Sequence, residues 1–250
     1  MDSNVRFEIT DGIATLSFFD PKSNSLPGST LQALALALTQ LGNNKEVAVI
    51  ILKSEGERAF CAGASFDELI AIKDEEKGHS FFMGFANVIN AMRNCPKFII
   101  GRVQGKAVGG GVGMASAVDY CLATKYASIK LSELAIGIGP FVVGPAVERK
   151  IGLAAMSELA INATEWRDAQ WAKDKGLYQE IYEDVDQLDV AVKELAERLS
   201  NSNPEAMAEL KKNFWSEYEH WDTLLTERAS ISGRLVLSDF TRKAIQKFKN

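Results

Sequence analysis

Residues 104–113 of this chain read Gln-Gly-Lys-Ala-Val-Gly-Gly-Gly-Val-Gly. A glycine in a helix interior costs about 1 kcal/mol relative to alanine, so four glycines in five positions are not there for propensity. The stretch follows residues 98–103, a segment of strand length, and reads as a strand-to-helix turn. Gly109, Gly110 and Gly111 lack Cβ atoms, so a ligand can approach their backbone closely. If residues 110–118 open a helix, its free N–H groups and the positive end of its dipole face whatever binds there. Such a turn seats a phosphate or a developing oxyanion. Close helix–strand packing with no ligand at all is the competing reading.

Two phosphate motifs can be tested directly. A G-x-G-x-x-G pattern begun at Gly109 needs a glycine where Met114 stands, and one begun at Gly111 ends on Ser116. No Gly-Lys-Ser/Thr follows, so a P-loop fails too. Both nucleotide readings are set aside.

Composition narrows the partners. The chain has 250 residues, 46% hydrophobic and 24% charged, with a formal net charge of −5. These values suit a globular protein with a substantial core and no dominant basic tract for nucleic acid. No run nears the roughly 18 apolar residues of a membrane span, and the first ten residues lack a secretory apolar segment. A cytoplasmic protein with no membrane partner is expected. Cys61, Cys95 and Cys121 are odd in number and lie in apolar surroundings, which predicts buried reduced thiols. His79 and His220 have no ligand-spaced neighbours, so neither zinc nor a His-based triad is expected.

Periodicity predicts an α/β architecture. Residues 5–19 alternate as two strands about Asp11-Gly12, and Leu31, Leu34, Leu38 and Leu41 mark a helix after Pro27-Gly28. Residues 47–53 form a buried strand, whereas 59–65 are too small and glycine-containing for a regular core element. Phe81, Phe85, Val88 and Met92 mark a second helix, closed by Cys95-Pro96. Short strands are expected at 120–124 and 128–131. From residue 186 the pattern is helical, with stripes at Leu188, Val192, Leu195 and Leu199 and at Met207, Leu210, Phe214 and Tyr218. Trp215, Trp221, Phe240 and Phe248 need cover, from another subunit or from the chain's own core. The division expected is 1–186 as core and 187–250 as helical tail.

Four ordered segments carry a resemblance. They are Ala59-Phe60-Cys61-Ala62-Gly63-Ala64-Ser65, the 104–111 stretch, Leu131-Ser132-Glu133 before Gly139-Pro140, and Asp168-Ala169 through Gly176-Leu177. Together they resemble the crotonase superfamily, the enoyl-CoA hydratase/isomerase family, over nearly the whole chain. That resemblance implies a spiral of repeated ββα units with a C-terminal helical region that assembles a homotrimer or a hexamer of two trimers. It implies an acyl-CoA thioester as substrate, with coenzyme A carried in the substrate and no metal or separate cofactor.

The resemblance also implies roles. The amides of Ala64 and Gly110 hold the thioester oxygen, more strongly as it becomes an enolate. Glu133, flanked by Leu131, Leu134 and Ile136, is the acid/base, its pKa raised by desolvation. A turn-capping glutamate is the plain alternative. Lys22, Ser23, Ser25, Ala62, Gly63, Ser65, Phe66, Asp67 and Gly109 line the substrate channel.

The sequence departs from the family pattern twice. The second glutamate of two-carboxylate hydratases is Gly113 here, and the Asp after Ala-Gly-Ala is Ser65. Glu68, Asp119 and Glu148 are conceivable substitute carboxylates. The expected activity is hydration of a short or branched 2-enoyl-CoA. The alternatives are Δ3,Δ2-enoyl-CoA isomerisation with one glutamate, and acyl-CoA binding without catalysis.

Overall fold

The computed structural model describes residues 4–247. Alternation works as predicted at the start. Strands β1 (Asn4–Thr10) and β2 (Ile13–Phe19) form an antiparallel hairpin about Asp11-Gly12, both at positive φ. One face of β2 buries Ala14, Leu16 and Phe18 completely. Each of the larger two side chains stabilises the fold by about 1.5–3 kcal/mol.

The chain continues through β3 (Ser25–Leu26), α1 (Gly28–Asn43), β4 (Val49–Ser54), β5 (Ala59–Cys61) and β6 (Gly63–Ala64). Next come α2 (Phe66–Ala71), α3 (Glu75–Asn94), β7 (Phe98–Val103), β8 (Lys106–Val108) and α4 (Gly110–Ala117). Then follow β9 (Tyr120–Thr124), β10 (Ile129–Lys130), α5 (Gly144–Ile161), α6 (Ala169–Asp174) and β11 (Glu180–Tyr182). Helices α7 (Val185–Ser200), α8 (Pro204–Trp215), α9 (Trp221–Leu235) and α10 (Asp239–Lys247) complete it.

The long strands make one sheet in the order β1-β2-β4-β7-β9-β11, parallel from β2 onward. After a long strand the chain turns into a short one. Strands β5, β8 and β10 form a second parallel sheet, and β3 pairs with β6. Parallel neighbours need a crossover, and the helices supply it. The result is a spiral of ββα units whose short strands all end on one side, where their turns meet.

Residues 59–65 depart from the expectation of no regular element. They form β5 and β6 because neighbouring turns of the spiral offer β8 and β3 as partners. The cause is tertiary pairing, which local propensity does not register.

Helix α7 lays Leu188, Val192 and Ala196 on the outer face of the long sheet, against Val49, Ile51, Ile100 and Leu122. Helix α8 forms where the stripe predicts one and Met207 is buried, but the rest of the inward face differs. Met207, Lys211 and Trp215 face inward, while Leu210 and Phe214 are exposed. Trp215 and Trp221 are covered by the chain's own core, edge to face with each other and with Tyr218. Phe240 is exposed, and Phe248 lies outside the described residues. Helix α9 crosses α3 at Gly78 and Gly233, where a Cβ on Gly78 would stand 2.7 Å from the Gly233 carbonyl oxygen.

A buried ion pair ties α8 to the long sheet. Lys211 Nζ lies 2.8 Å from Asp119 Oδ2 and also donates to the Lys97 carbonyl. Asp119 accepts in addition from the Ile99 amide and from Trp215 Nε1. All three cysteines are buried free thiols, and burial pushes Cys61 and Cys121 up to about 12. Among the described residues, no helix is long and apolar enough to cross a membrane.

Candidate active site

The glycine turn is a strand-to-helix junction. Strand β8 ends at Val108, Gly109 takes φ 52°, and α4 starts at Gly110. The Gly109 carbonyl accepts from the Val112 and Gly113 amides, and the Gly109 amide donates to the Lys130 carbonyl at 2.9 Å. The Gly110 amide, first in the helix, has no backbone acceptor among the described residues. A side chain is barred at each glycine for its own reason. A Cβ on Gly110 would sit 2.2 Å from the Phe85 ring, and one on Gly111 2.4 Å from the Cys61 carbonyl oxygen.

A second turn meets the first. Gly63, at φ 93°, brings its α-carbon region to the start of α4, where a Cβ would be 3.8 Å from the Gly110 nitrogen. The Ser65 amide is spent on the Leu26 carbonyl, so strand alternation turns the Ala64 amide toward the opposite edge. Ala64 and Gly110 line the same cavity of about 540 Å³.

Glu133 opens a single 3-10 turn, Glu133–Ile136, closed by Gly137 in the left-handed conformation. Its Oε1 lies against Gly109, where a Cβ would stand at 2.8 Å. Part of the residue keeps contact with the cavity, but Oε2 is sealed and has no hydrogen-bond partner among the described residues. Ser132, at the N-cap of this turn, makes no side-chain capping hydrogen bond. Burial raises the carboxyl from 4.5 to about 7, only partly offset by its own backbone amide. A carboxyl at that value exchanges protons in both directions near neutral pH.

Seven of the residues chosen from the sequence meet at this cavity: Ala62, Gly63, Ala64, Phe66, Gly109, Gly110 and Glu133. Five do not line it. Lys22 pairs with Asp67 on the surface. Ser23 sits in a turn at φ 57°, Ser25 Oγ donates to the Ala64 carbonyl, and Ser65 Oγ caps α2 by accepting from the Glu68 amide. The sequence reading missed the aromatic wall of Phe81, Phe82, Phe85 and Phe141, and the polar end at Lys130 and Trp166. Phe81 and Phe85 carried only a helical-period signal, which a core face gives equally. Among the described residues no group of three or more His, Cys, Asp or Glu is arranged to hold a metal ion.

The enoyl-CoA hydratase/isomerase family model matches residues 8–249. The chain belongs to the enoyl-CoA hydratase/isomerase family. A relative from Rattus norvegicus, methylglutaconyl-CoA hydratase, mitochondrial, is 34% identical over 86% of this chain and 70% of its own length. Another from Arabidopsis thaliana, a peroxisomal Δ(3,5)-Δ(2,4)-dienoyl-CoA isomerase, is 30% identical over 70% and 66%. An enoyl-CoA hydratase structure from Bacillus halodurans superposes with a TM-score of 0.90 at 22% identity, covering 97% of this chain and 99% of that one, which establishes the crotonase fold.

Gly113 stands where the resemblance implies a second glutamate. A Cβ there would collide with Val143 at 2.7 Å, so an aliphatic side chain fills the space next to that position. None of the three conceivable substitute carboxylates lines the cavity. Glu68 Oε2 accepts from the Gly28 amide, Asp119 is held by Lys211, and Glu148 is exposed on α5. Among the described residues, Glu133 is the one acidic side chain lining the cavity.

Proposed function

We propose that this enzyme adds water to a short or branched 2-enoyl-CoA, with Glu133 as its only acid/base. The observation that carries the reading is the carboxyl of Glu133, half-titrated near neutral pH and seated against the Gly109-Gly110 turn. Ionised Glu133 takes a proton from water as the water oxygen bonds to Cβ. The π electrons move onto the thioester oxygen, where the Ala64 and Gly110 amides hold the enolate. Neutral Glu133 then returns the same proton to Cα as the thioester re-forms. The amides bind the enolate more strongly than the ground-state carbonyl, so they lower the barrier.

Ala62, Gly63, Phe66 and Gly109 shape the thioester end of the channel in this reading, and exposed Lys22, held by Asp67, is the charge offered to coenzyme A. No cofactor is called for beyond the coenzyme A that the substrate brings. The helical segment 187–250 assembles a homotrimer or a pair of trimers in the cytoplasm.

The wall at Gly113 and Val143 favours a second reading, Δ3,Δ2-enoyl-CoA isomerisation, because moving a proton between two carbons needs a single carboxylate. Separate incubations with a 2-enoyl-CoA and a 3-enoyl-CoA, followed by mass spectrometry, decide between them. Hydration is expected to add one water mass to the 2-enoyl compound. Reaction of the 3-enoyl compound alone, without mass gain, overturns the hydratase reading in favour of the isomerase. Binding of both with no turnover leaves a non-catalytic acyl-CoA binder.

The oxyanion reading has its own test. Gly110→Val forces Phe85 aside and displaces the first amide of α4. Loss of one such donor costs about 2.7–4 kcal/mol of barrier, so kcat is expected to fall about 10²–10³-fold in protein that still folds by circular dichroism. A kcat within threefold of wild type removes Gly110 from the oxyanion site.

A further inference from the structure

Helix α4 carries the Gly110 amide at its first position, and every residue from Gly110 to Ala117 is buried. Glycines at 110, 111 and 113 weaken its helix propensity, and its own last turn holds no basic residue. The C-terminal end of α4 therefore lies in the interior with neither water nor a charge of its own to meet the negative end of the dipole. A neighbouring helix supplies the charge. Lys150 of α5 reaches the residue that ends α4, and its Nζ donates to the Val118 carbonyl at 3.0 Å and to the Asp119 carbonyl at 3.1 Å. Its neighbours point elsewhere, since Glu148 is exposed and the Arg149 guanidinium stacks 3.6 Å from the Trp215 ring centroid. Lys150 forms no ion pair among the described residues, and the Asp119 carboxylate beside it is engaged by Lys211. Burial lowers the pKa of this ammonium, as it does for any cation drawn out of water.

The oxyanion site gives this cation a consequence. An α-helix of eight residues spans about 12 Å, so the ammonium and an anion at the Gly110 amide stand about 15 Å apart along one axis. Packed helix fills the space between them. At the effective dielectric of a protein interior, unit charges at that distance favour the charged state about fivefold. A ground-state carbonyl carries only a partial charge and gains less, so the benefit falls on the enolate. The two hydrogen bonds also fix the far end of a short helix whose first amide has to be aimed in advance. We propose that Lys150 is a positioning residue of the oxyanion site: its ammonium, seated on the Val118 and Asp119 carbonyls, holds α4 in place and strengthens the field that the Gly110 amide presents to the enolate. This rests on the acyl-CoA reading above and assigns a role to a residue outside the cavity.

Infrared spectroscopy of bound butanoyl-CoA, isotopically labelled at the thioester carbonyl, reads that field without turnover. In wild type the carbonyl stretch is expected to lie below its value in water. Lys150→Gln keeps a donor but loses the charge. It is expected to move the stretch back toward the value in water and to lower kcat for a 2-enoyl-CoA about fivefold, with butanoyl-CoA affinity within twofold. Lys150→Met, which loses the donor too, is expected to lose at least as much. Lys150→Arg is expected to retain both the stretch and kcat, because guanidinium carries charge and donors alike. A wild-type stretch and kcat in Lys150→Gln overturn the proposal. A lowered melting temperature with an unchanged stretch also overturns it, reducing Lys150 to a structural contact. If wild type does not bind butanoyl-CoA, or binds it without displacing the stretch, the acyl-CoA and oxyanion readings fall first.

Discussion

Glu133→Gln is expected to lower turnover of the 2-enoyl-CoA about 10²–10⁴-fold while thioester affinity stays within a few-fold of wild type. Glutamine keeps the shape and loses the transferable proton. The same substitution is expected to stabilise the protein above neutral pH. The folded-state pKa of about 7 is higher than the ordinary 4.5, so the folded chain binds more protons than the unfolded one between those values. Stability is whole below pH 4.5, declines as pH rises, and carries the full penalty above 7. That penalty is about 3–4 kcal/mol at most, since the rise from 4.5 to about 7 costs about 1.4 kcal/mol per pKa unit. Denaturant melts of both proteins at pH 5 and pH 8 measure it. The advantage of the variant should be small at pH 5 and near its maximum at pH 8. In wild type, kcat/KM should fall about tenfold per pH unit below 7, because the reaction starts from the carboxylate. A stability difference that does not change with pH, or turnover kept by the variant, removes Glu133 from the acid/base role.

That trade of stability for chemistry shows why the site was partly legible in the sequence. A glutamate among Leu131, Leu134 and Ile136 has few ways to be solvated, and three glycines after a strand have no reason to be there except close approach. Both are local signals, and both residues reached the cavity. The α/β character was legible for the same reason, since alternating or aliphatic runs separated by helical stripes admit few arrangements, whereas the spiral followed only from the resemblance to the family. What stayed hidden depends on contacts between distant segments. Residues 59–65 are strands only because β3 and β8 lie beside them. Ser25 and Ser65 looked available to a ligand, but their hydroxyls are spent on the Ala64 carbonyl and the Glu68 amide. Val143 has no polar signature, so its position against Gly113 is visible only in three dimensions.

The α8 stripe failed in part, for a further reason that has its own consequence. Hydrophobic periodicity chose Leu210 and Phe214, whereas the buried position between them is Lys211. Its ammonium offsets Asp119 in an interior where only 2% and 6% of the two side chains remain exposed. Lys211→Met is expected to cost about 3–5 kcal/mol, because it leaves the Asp119 charge buried without its cation. The damage is expected to reach the active site, since Lys150 Nζ donates to the Val118 and Asp119 carbonyls and Val118 caps the helix whose other end carries Gly110. Adding Asp119→Asn removes the stranded charge while leaving an amide oxygen for the Ile99 amide. The double variant should therefore melt at a higher temperature than Lys211→Met alone, a coupling that a double-mutant cycle reads directly. A single Lys211→Met variant within 1 kcal/mol of wild type, an order of magnitude set by ordinary surface pairs, would mean that this pair contributes no more than an exposed one.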